Sequence, residues 1–219
     1  MHFLFRIKDL IADFLFPRNP KVLALEALSA EMLLNTLPPA ELLKDKETIA
    51  LFDYSHSLVK EIVWELKYNG NDRIAERLAE ILYDVIRDEL QDLALFEKWE
   101  RPIIMPIPIS DKRRFERGWN QSELLAEEVL ARDDEKVFRY LPNQLRKIRH
   151  TESQTKTASR NERLKNLTDS MKVLNALAVA GECVIVLDDV TTTGSTFAEA
   201  RRALRAAGAK KILCVAVAH

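Results

Sequence analysis

Glycine is scarce in this chain, five among 219 residues. Few backbone positions can therefore take a positive φ without strain. Gly70, Gly118, Gly181, Gly194 and Gly208 each stand between periodic segments and mark boundaries. Cysteine is scarcer still: Cys183 and Cys214 each open or lie within a strand-like apolar run. That usage excludes a disulfide framework and points to a reducing compartment, with two buried thiols acting as small apolar side chains. No four-ligand zinc spacing exists. The net charge is −1, so bulk charge names no partner. There is no long uncharged apolar run. Residues 1–16 are apolar but carry Arg6, Lys8, Asp9 and Asp13, which is too short and too charged for a membrane span. No small-residue cleavage site follows a clean apolar core there, so a cytoplasmic protein without a membrane span is expected. Phe3, Ile7, Leu10, Ile11 and Phe14 share a helical face that is expected to dock on the protein's own core.

What is present fits one core-bearing domain with a smaller appendage, at 47% hydrophobic and 31% charged residues. Charge is unevenly placed. Residues 41–100 hold 15 acids and 8 bases, and residues 139–165 hold 8 bases and 2 acids. The second segment suits phosphates or nucleic acid, or simply a solvated loop. Residues 1–50 read as helices broken by Pro17, Pro20 and Pro38-Pro39. Val59, Ile62, Val63 and Leu66 make one helical stripe, Asn69-Gly70-Asn71-Asp72 a stop and new cap, and a second helix runs from Arg73 to about Leu90. The apolar run 102–109 reads as a strand buried on both faces. A polar, arginine-rich loop follows at 110–118, then a helix at 120–131. Residues 137–148 suggest a strand weakened by Pro142, and 171–175 a short one. The clearest strand is 183–187, closed by Asp188 and Asp189 and followed by a turn, an alanine-rich helix and a last strand at 211–217. This β-α-β alternation predicts a doubly wound, mostly parallel sheet.

Ligands of such sheets bind beyond the carboxyl ends of the strands. Asp188-Asp189-Val190-Thr191-Thr192-Thr193-Gly194-Ser195-Thr196 lies at such an end and leads into a helix N-terminus. Free N–H groups and the helix dipole favour an anion there, and the hydroxyls of Thr191, Thr192, Thr193, Ser195 and Thr196 add donors. Gly194 lets the backbone fold tightly around a phosphate. The Gly-Lys-Ser/Thr of a Walker loop and the three spaced glycines of a dinucleotide fingerprint are both missing. Paired carboxylates suit ribose hydroxyls, which are donors. A phosphorylated ribose is the ligand this string predicts. His56, His150 and His219 suggest no triad, and no serine sits in a nucleophile elbow.

Residues 184–196 resemble the phosphoribosyl-pyrophosphate motif of type I phosphoribosyltransferases. The resemblance implies that Asp188 and Asp189 take the ribose hydroxyls and that Thr191 to Thr196 cradle the 5′-phosphate. Pro106-Ile107-Pro108 with Arg114 and Arg117-Gly118-Trp119-Asn120-Gln121 resembles the ComF family of competence-associated, phosphoribosyltransferase-like proteins. So do Leu66-Lys67-Tyr68 before the Gly-Asn-Asp turn, and Leu145-Arg146 with Thr151, Gln154, Arg160, Arg163 and Asn166. The resemblance covers roughly 53–219. It implies a type I phosphoribosyltransferase fold over 51–219, with 1–50 as a helical N-terminal cap. ComF-type proteins commonly begin with a cysteine-rich zinc segment, whereas no cysteine precedes Cys183 here, so no zinc is expected.

The chemistry implied is attack of a nucleobase nitrogen on the anomeric carbon of phosphoribosyl pyrophosphate, with Mg²⁺ held indirectly by Asp188 and Asp189. Arg113, Arg114 and Arg117 are fixed cations placed for the pyrophosphate, and the resemblance favours Arg114 and Arg117. Lys67 reads either as a third cation there or as a stem covering its helix end. Arg146, Gln154, Arg160 and Arg163 read either as a hood that excludes water or as a contact for DNA phosphates. A non-catalytic role in DNA uptake, on single-stranded DNA or an uptake ATPase, is the competing reading. Bases could stack on few aromatics in that basic segment, Tyr140 being the nearest.

Overall fold

The computed structural model describes residues 20–43, 45–94, 99–148 and 169–219. The N-terminal amphipathic face and the hood residues Gln154, Arg160 and Arg163 lie outside them. The elements are α1 (Pro20–Glu26), α2 (Ala30–Thr36), β1 (Thr48–Phe52), α3 (Ser57–Trp64), α4 (Asp72–Ala94), β2 (Ile103–Pro106), α5 (Asp111–Arg117), α6 (Gln121–Ala131), β3 (Arg139–Tyr140), β4 (Leu145–Lys147), β5 (Met171–Val173), β6 (Cys183–Val190), α7 (Ser195–Ala206) and β7 (Lys211–Ala218).

Five strands pair in parallel in the order β1-β7-β6-β2-β3, and β4 and β5 form a separate antiparallel pair. The strand period of two sends side chains to opposite faces. Ile104, Ile185, Leu187, Leu213, Val215 and Val217 pack with α1 to α4 and α6. Ile103, Met105, Val184, Val186, Ile212 and Cys214 pack with α7 and the β4-β5 flap. Both faces are covered, which is why these strands read as unbroken apolar runs. Each fully buried Ile or Leu contributes roughly 1.5–3 kcal/mol.

Leaving β2, the chain runs through α5 and α6 on one face to β3. Leaving β6, it runs through α7 on the other face to β7. Neighbouring strands whose connections depart in opposite directions leave a crevice at their carboxyl ends. The sheet thus opens between β2 and β6.

Local chemistry explains the element ends. Asn71 caps α4, its Oδ1 accepting from Ile74 N at 3.2 Å. Val59, Ile62, Val63 and Leu66 are all buried, as their stripe predicts. Past Trp64 the helix widens into a π-turn, Glu65–Asn69, that ends at Gly70 with φ +55°.

Three expectations change. Residues 110–118 are not a loop: Ser110 Oγ accepts from Arg113 N at 3.3 Å and Gly118 closes the helix α5. Asp111 at its start and Arg114 and Arg117 at its end suit the helix dipole. None of its residues is buried, so it carries no apolar period to read. Residues 137–148 break into β3 and β4 around Pro142. Thr48–Phe52 enters the sheet beside β7, so the boundary drawn at residue 50 falls within a strand. Among the described residues no helix is long and apolar enough to cross a membrane.

Candidate functional site

β6 carries Asp188 and Asp189 to the mouth of the β2–β6 crevice. Both are buried, at 7% and 3% exposure. A cavity of about 320 Å³ opens there, lined among others by Lys67, Arg113, Arg117, Gln121, Lys147, Asp188, Asp189 and Thr196. Four cations face two carboxylates, a balance that suits a ligand with several negative charges.

The acids are held individually. Ser122 Oγ donates to Asp188 Oδ1 at 2.8 Å, and Asp189 N donates to the same oxygen at 2.9 Å. Burial first, and the neighbouring Asp189 charge second, push the Asp188 carboxyl well above the usual carboxylate range. Gln121 Nε2 lies 3.4 Å from Asp189 Oδ1. Lys67 Nζ lies 2.7 Å from Asp189 Oδ2. That contact is an ion pair without hydrogen-bond alignment, so among the described residues the buried Oδ2 has no directed donor. The Asp189 charge is met by the Lys67 ammonium inside the cavity.

The cations arrive from three elements. Lys67 comes from the π-turn, which Trp119 braces: its indole N–H donates to Leu66 O at 2.9 Å. Arg117 stacks over the Tyr68 ring at 4.9 Å and donates to Gln121 Oε1 at 3.3 Å. Arg113 lines the cavity one turn earlier on α5. Lys147 comes from β4, its ammonium held below the usual range by burial and then by Arg113, against the pull of Asp188.

Two expected residues fall elsewhere. Arg114 is paired with Glu123 of α6 and is not among the cavity's lining residues; Arg113 stands in its place. A seven-residue helix can aim only one stripe at the crevice, and positions 113 and 117 share it. Arg146 lies 3.9 Å from Asp111 and is half-exposed, while its neighbour Lys147 points in, as strand alternation requires. Gln121, Ser122 and Lys147 were not singled out as site residues from the sequence. Nothing local distinguishes a polar helix start from a site wall; only the pairing of α6 with β6 does.

The loop after β6 leads into α7. Gly194 takes φ +72° at the helix start. Thr193 Oγ1 donates to Ser195 Oγ at 2.9 Å, and Ser195 N lies 3.4 Å from Thr193 Oγ1. Thr191 is buried, its N–H bonded to Ala218 O at 2.9 Å and its carbonyl 3.0 Å from His219 Nδ1. Thr192 is exposed, and Thr196 lines the cavity.

A larger cavity of about 830 Å³ lies across the π-turn, lined by Glu26, Glu61, Glu65 and Asp72 with Arg73 as its cation. Its charge repels a phosphate, so charge rather than size selects the cavity at β6.

A family model described as the phosphoribosyl transferase domain matches residues 134–219, which hold the acid pair, its loop and α7. Competence protein F of Haemophilus influenzae is 30% identical over 158 residues, covering 69% of this chain and 63% of that protein. The DNA utilization protein YhgH of Escherichia coli K12 is 29% identical over 170 residues, covering 75% and 68%. The chain is similar to these ComF-type proteins over about 70% of its length. Its fold is the type I phosphoribosyltransferase-like α/β fold. The chain spans under two thirds of the length of Competence protein F. A solved structure described as the allosteric regulatory enzyme of purine biosynthesis aligns with 70% of the chain and 30% of its own at 16% identity, with a TM-score of 0.40.

Proposed function

We propose that this chain is a ComF-type protein that binds phosphoribosyl pyrophosphate with Mg²⁺ and transfers the phosphoribosyl group to a nitrogen nucleophile. The observation that carries this reading is the buried acid pair at the start of a hydroxyl-rich loop inside a four-cation cavity. Asp188 and Asp189 accept the ribose 2′ and 3′ hydroxyls. The loop from Thr191 to Thr196 and the first amides of α7 take the 5′-phosphate. Arg113, Arg117, Lys67 and Lys147 face the pyrophosphate.

The attacking nitrogen forms a bond to the anomeric carbon. The carbon–oxygen bond to pyrophosphate breaks with its electron pair leaving on oxygen, and the nitrogen gives up its proton to water. The sugar passes through an oxocarbenium-like state. Cations set around the leaving oxygen stabilise its growing charge without reorganising. The acid pair fits Mg²⁺, a hard cation that takes oxygen ligands. Among the described residues no group of three or more metal-ligating side chains stands together. Asp188 and Asp189 are the residues that would hold the ion, indirectly, and it would supply charge neutralisation at the pyrophosphate.

Calorimetric titration of phosphoribosyl pyrophosphate with Mg²⁺ tests the reading. The wild type binds and Asp188→Asn/Asp189→Asn does not; pyrophosphate release is then followed with a panel of nucleobases. Absence of binding by the wild type overturns the reading.

The relatives' names, competence and DNA utilization, support a second reading in which the chain handles DNA without turnover. The base-rich segment 139–165 favours it. Single-stranded DNA affinity that falls steeply with salt, in a protein that releases no pyrophosphate, selects this reading.

A further inference from the structure

Asn120, Gln121 and Ser122 lead into α6 and are buried at 1%, 6% and 0% exposure, although all three are polar. Buried polar groups must find partners. The partners here belong to the site. Asn120 Nδ2 donates to Ile107 O at 2.9 Å, beyond the end of β2, while its Oδ1 caps the helix by accepting from Ser122 N at 3.1 Å. Ser122 Oγ holds Asp188, and Gln121 bridges Arg117 of α5 and Asp189 of β6.

Packing does not explain these choices. At 0% exposure an alanine fits where Ser122 stands, and an unbonded buried hydroxyl costs roughly 1–3 kcal/mol. Among the described residues the hydroxyl's one hydrogen bond is to the Asp188 carboxylate. Among the described residues the Ser122 hydroxyl and the Asp189 amide both donate to Oδ1, which turns Oδ2 toward the neighbouring acid and the cavity. Rotation about a carboxylate's last torsion is otherwise broad. Gln121 has the matching task. Arg117 is otherwise held by its stack on half-exposed Tyr68, and the Gln121 amide ties its guanidinium to the acid across the cavity.

We propose that Ser122 and Gln121 are positioning residues: Ser122 fixes which oxygen of Asp188 faces the ribose, and Gln121 sets Arg117 in register with Asp189 so that one ligand meets both. This rests on the phosphoribosyl pyrophosphate reading above. It predicts that the two substitutions separate by ligand half. Ser122 acts on the sugar, so its loss weakens any ribose phosphate. Gln121 acts through Arg117, so its loss is felt most where a pyrophosphate is present.

The experiment is calorimetry with Mg²⁺ and two probes, phosphoribosyl pyrophosphate and ribose 5-phosphate, on wild type, Ser122→Ala, Ser122→Thr and Gln121→Met, with melting temperatures beside it. Ser122→Ala is expected to weaken both probes roughly tenfold, the scale of one hydrogen bond to a charged group. Ser122→Thr restores the hydroxyl and most of the affinity. Gln121→Met is expected to weaken phosphoribosyl pyrophosphate at least fivefold more than ribose 5-phosphate, with melting within a few degrees of wild type. Wild-type affinity in Ser122→Ala and Gln121→Met overturns the proposal. Equal losses for both probes that track lowered melting, without rescue by threonine, overturn it too by showing a purely structural role. A wild type that binds neither probe overturns the underlying reading instead, and this proposal with it.

Discussion

Asp188 is the residue whose environment works against its own ionisation. Its carboxyl keeps its proton to higher pH in the folded chain than in the unfolded one, by burial and by Asp189. Stability from this group is therefore complete below the unfolded pKa and lost as pH rises through the folded one. Asp188→Asn keeps an acceptor for Ser122 and removes the charge. It should melt above wild type at pH 8, by on the order of 1 kcal/mol, with the gap closing near pH 4. Thermal unfolding at the two pH values checks this, and the same variant should lose phosphoribosyl pyrophosphate. Cys214 makes a second expectation at this scale. Burial pushes its thiol up to about 12, and it packs in the α7 face of the core. The folded protein should resist alkylation at pH 8 and react at Cys214 only in denaturant. The acids and hydroxyls of 188–196 were legible because their chemistry is local: an acid pair, a hydroxyl run and one glycine at a strand end.

The two glycines that shape the site differ in cost. Gly194 has φ +72°, and an added Cβ meets nothing within 4 Å, so Gly194→Ala carries backbone strain alone, roughly 1–2 kcal/mol. Gly70 has φ +55°, and its added Cβ would stand 3.0 Å from the Trp119 ring. Gly70→Ala must therefore displace the indole that donates to Leu66 O, and with it the π-turn bearing Lys67. Denaturant titration should show the larger loss for Gly70→Ala, and calorimetry a weaker ligand for both. The α3 stripe and the α4 cap were readable from spacing and from Asn71. The π-turn was not, because one extra residue in a helical turn leaves no mark on composition. Helix α5 was not, because an unburied helix carries no apolar stripe, and its Ser110 cap and Gly118 stop look like loop residues when nothing periodic lies between them.

Across the whole molecule, binding is linked to folding. A ligand that meets β6, α5, the π-turn and β4 together binds only the folded chain. Phosphoribosyl pyrophosphate with Mg²⁺ at 100 times its dissociation constant should stabilise the fold by about 2.7 kcal/mol. The rise in melting temperature with ligand concentration measures it, and Asp188→Asn/Asp189→Asn should show none.

Amino-acid order alone determined the strand 183–187, the acid pair, the phosphate-type loop and the alternation that demands a parallel sheet. Each is set by neighbours within about ten residues. Which arginine lines the cavity was decided only in three dimensions. Arg113, Arg114 and Arg117 are chemically alike, and the direction of α5 over the crevice turns 113 and 117 inward and hands 114 to Glu123. The same holds for Lys147 over Arg146, and for Gln121 and Ser122, which stand 68 and 66 residues from the acids they hold. Contacts of that range exist only after β2 and β6 pair and α6 lies across them, because a side chain's role is set by what the fold brings to it.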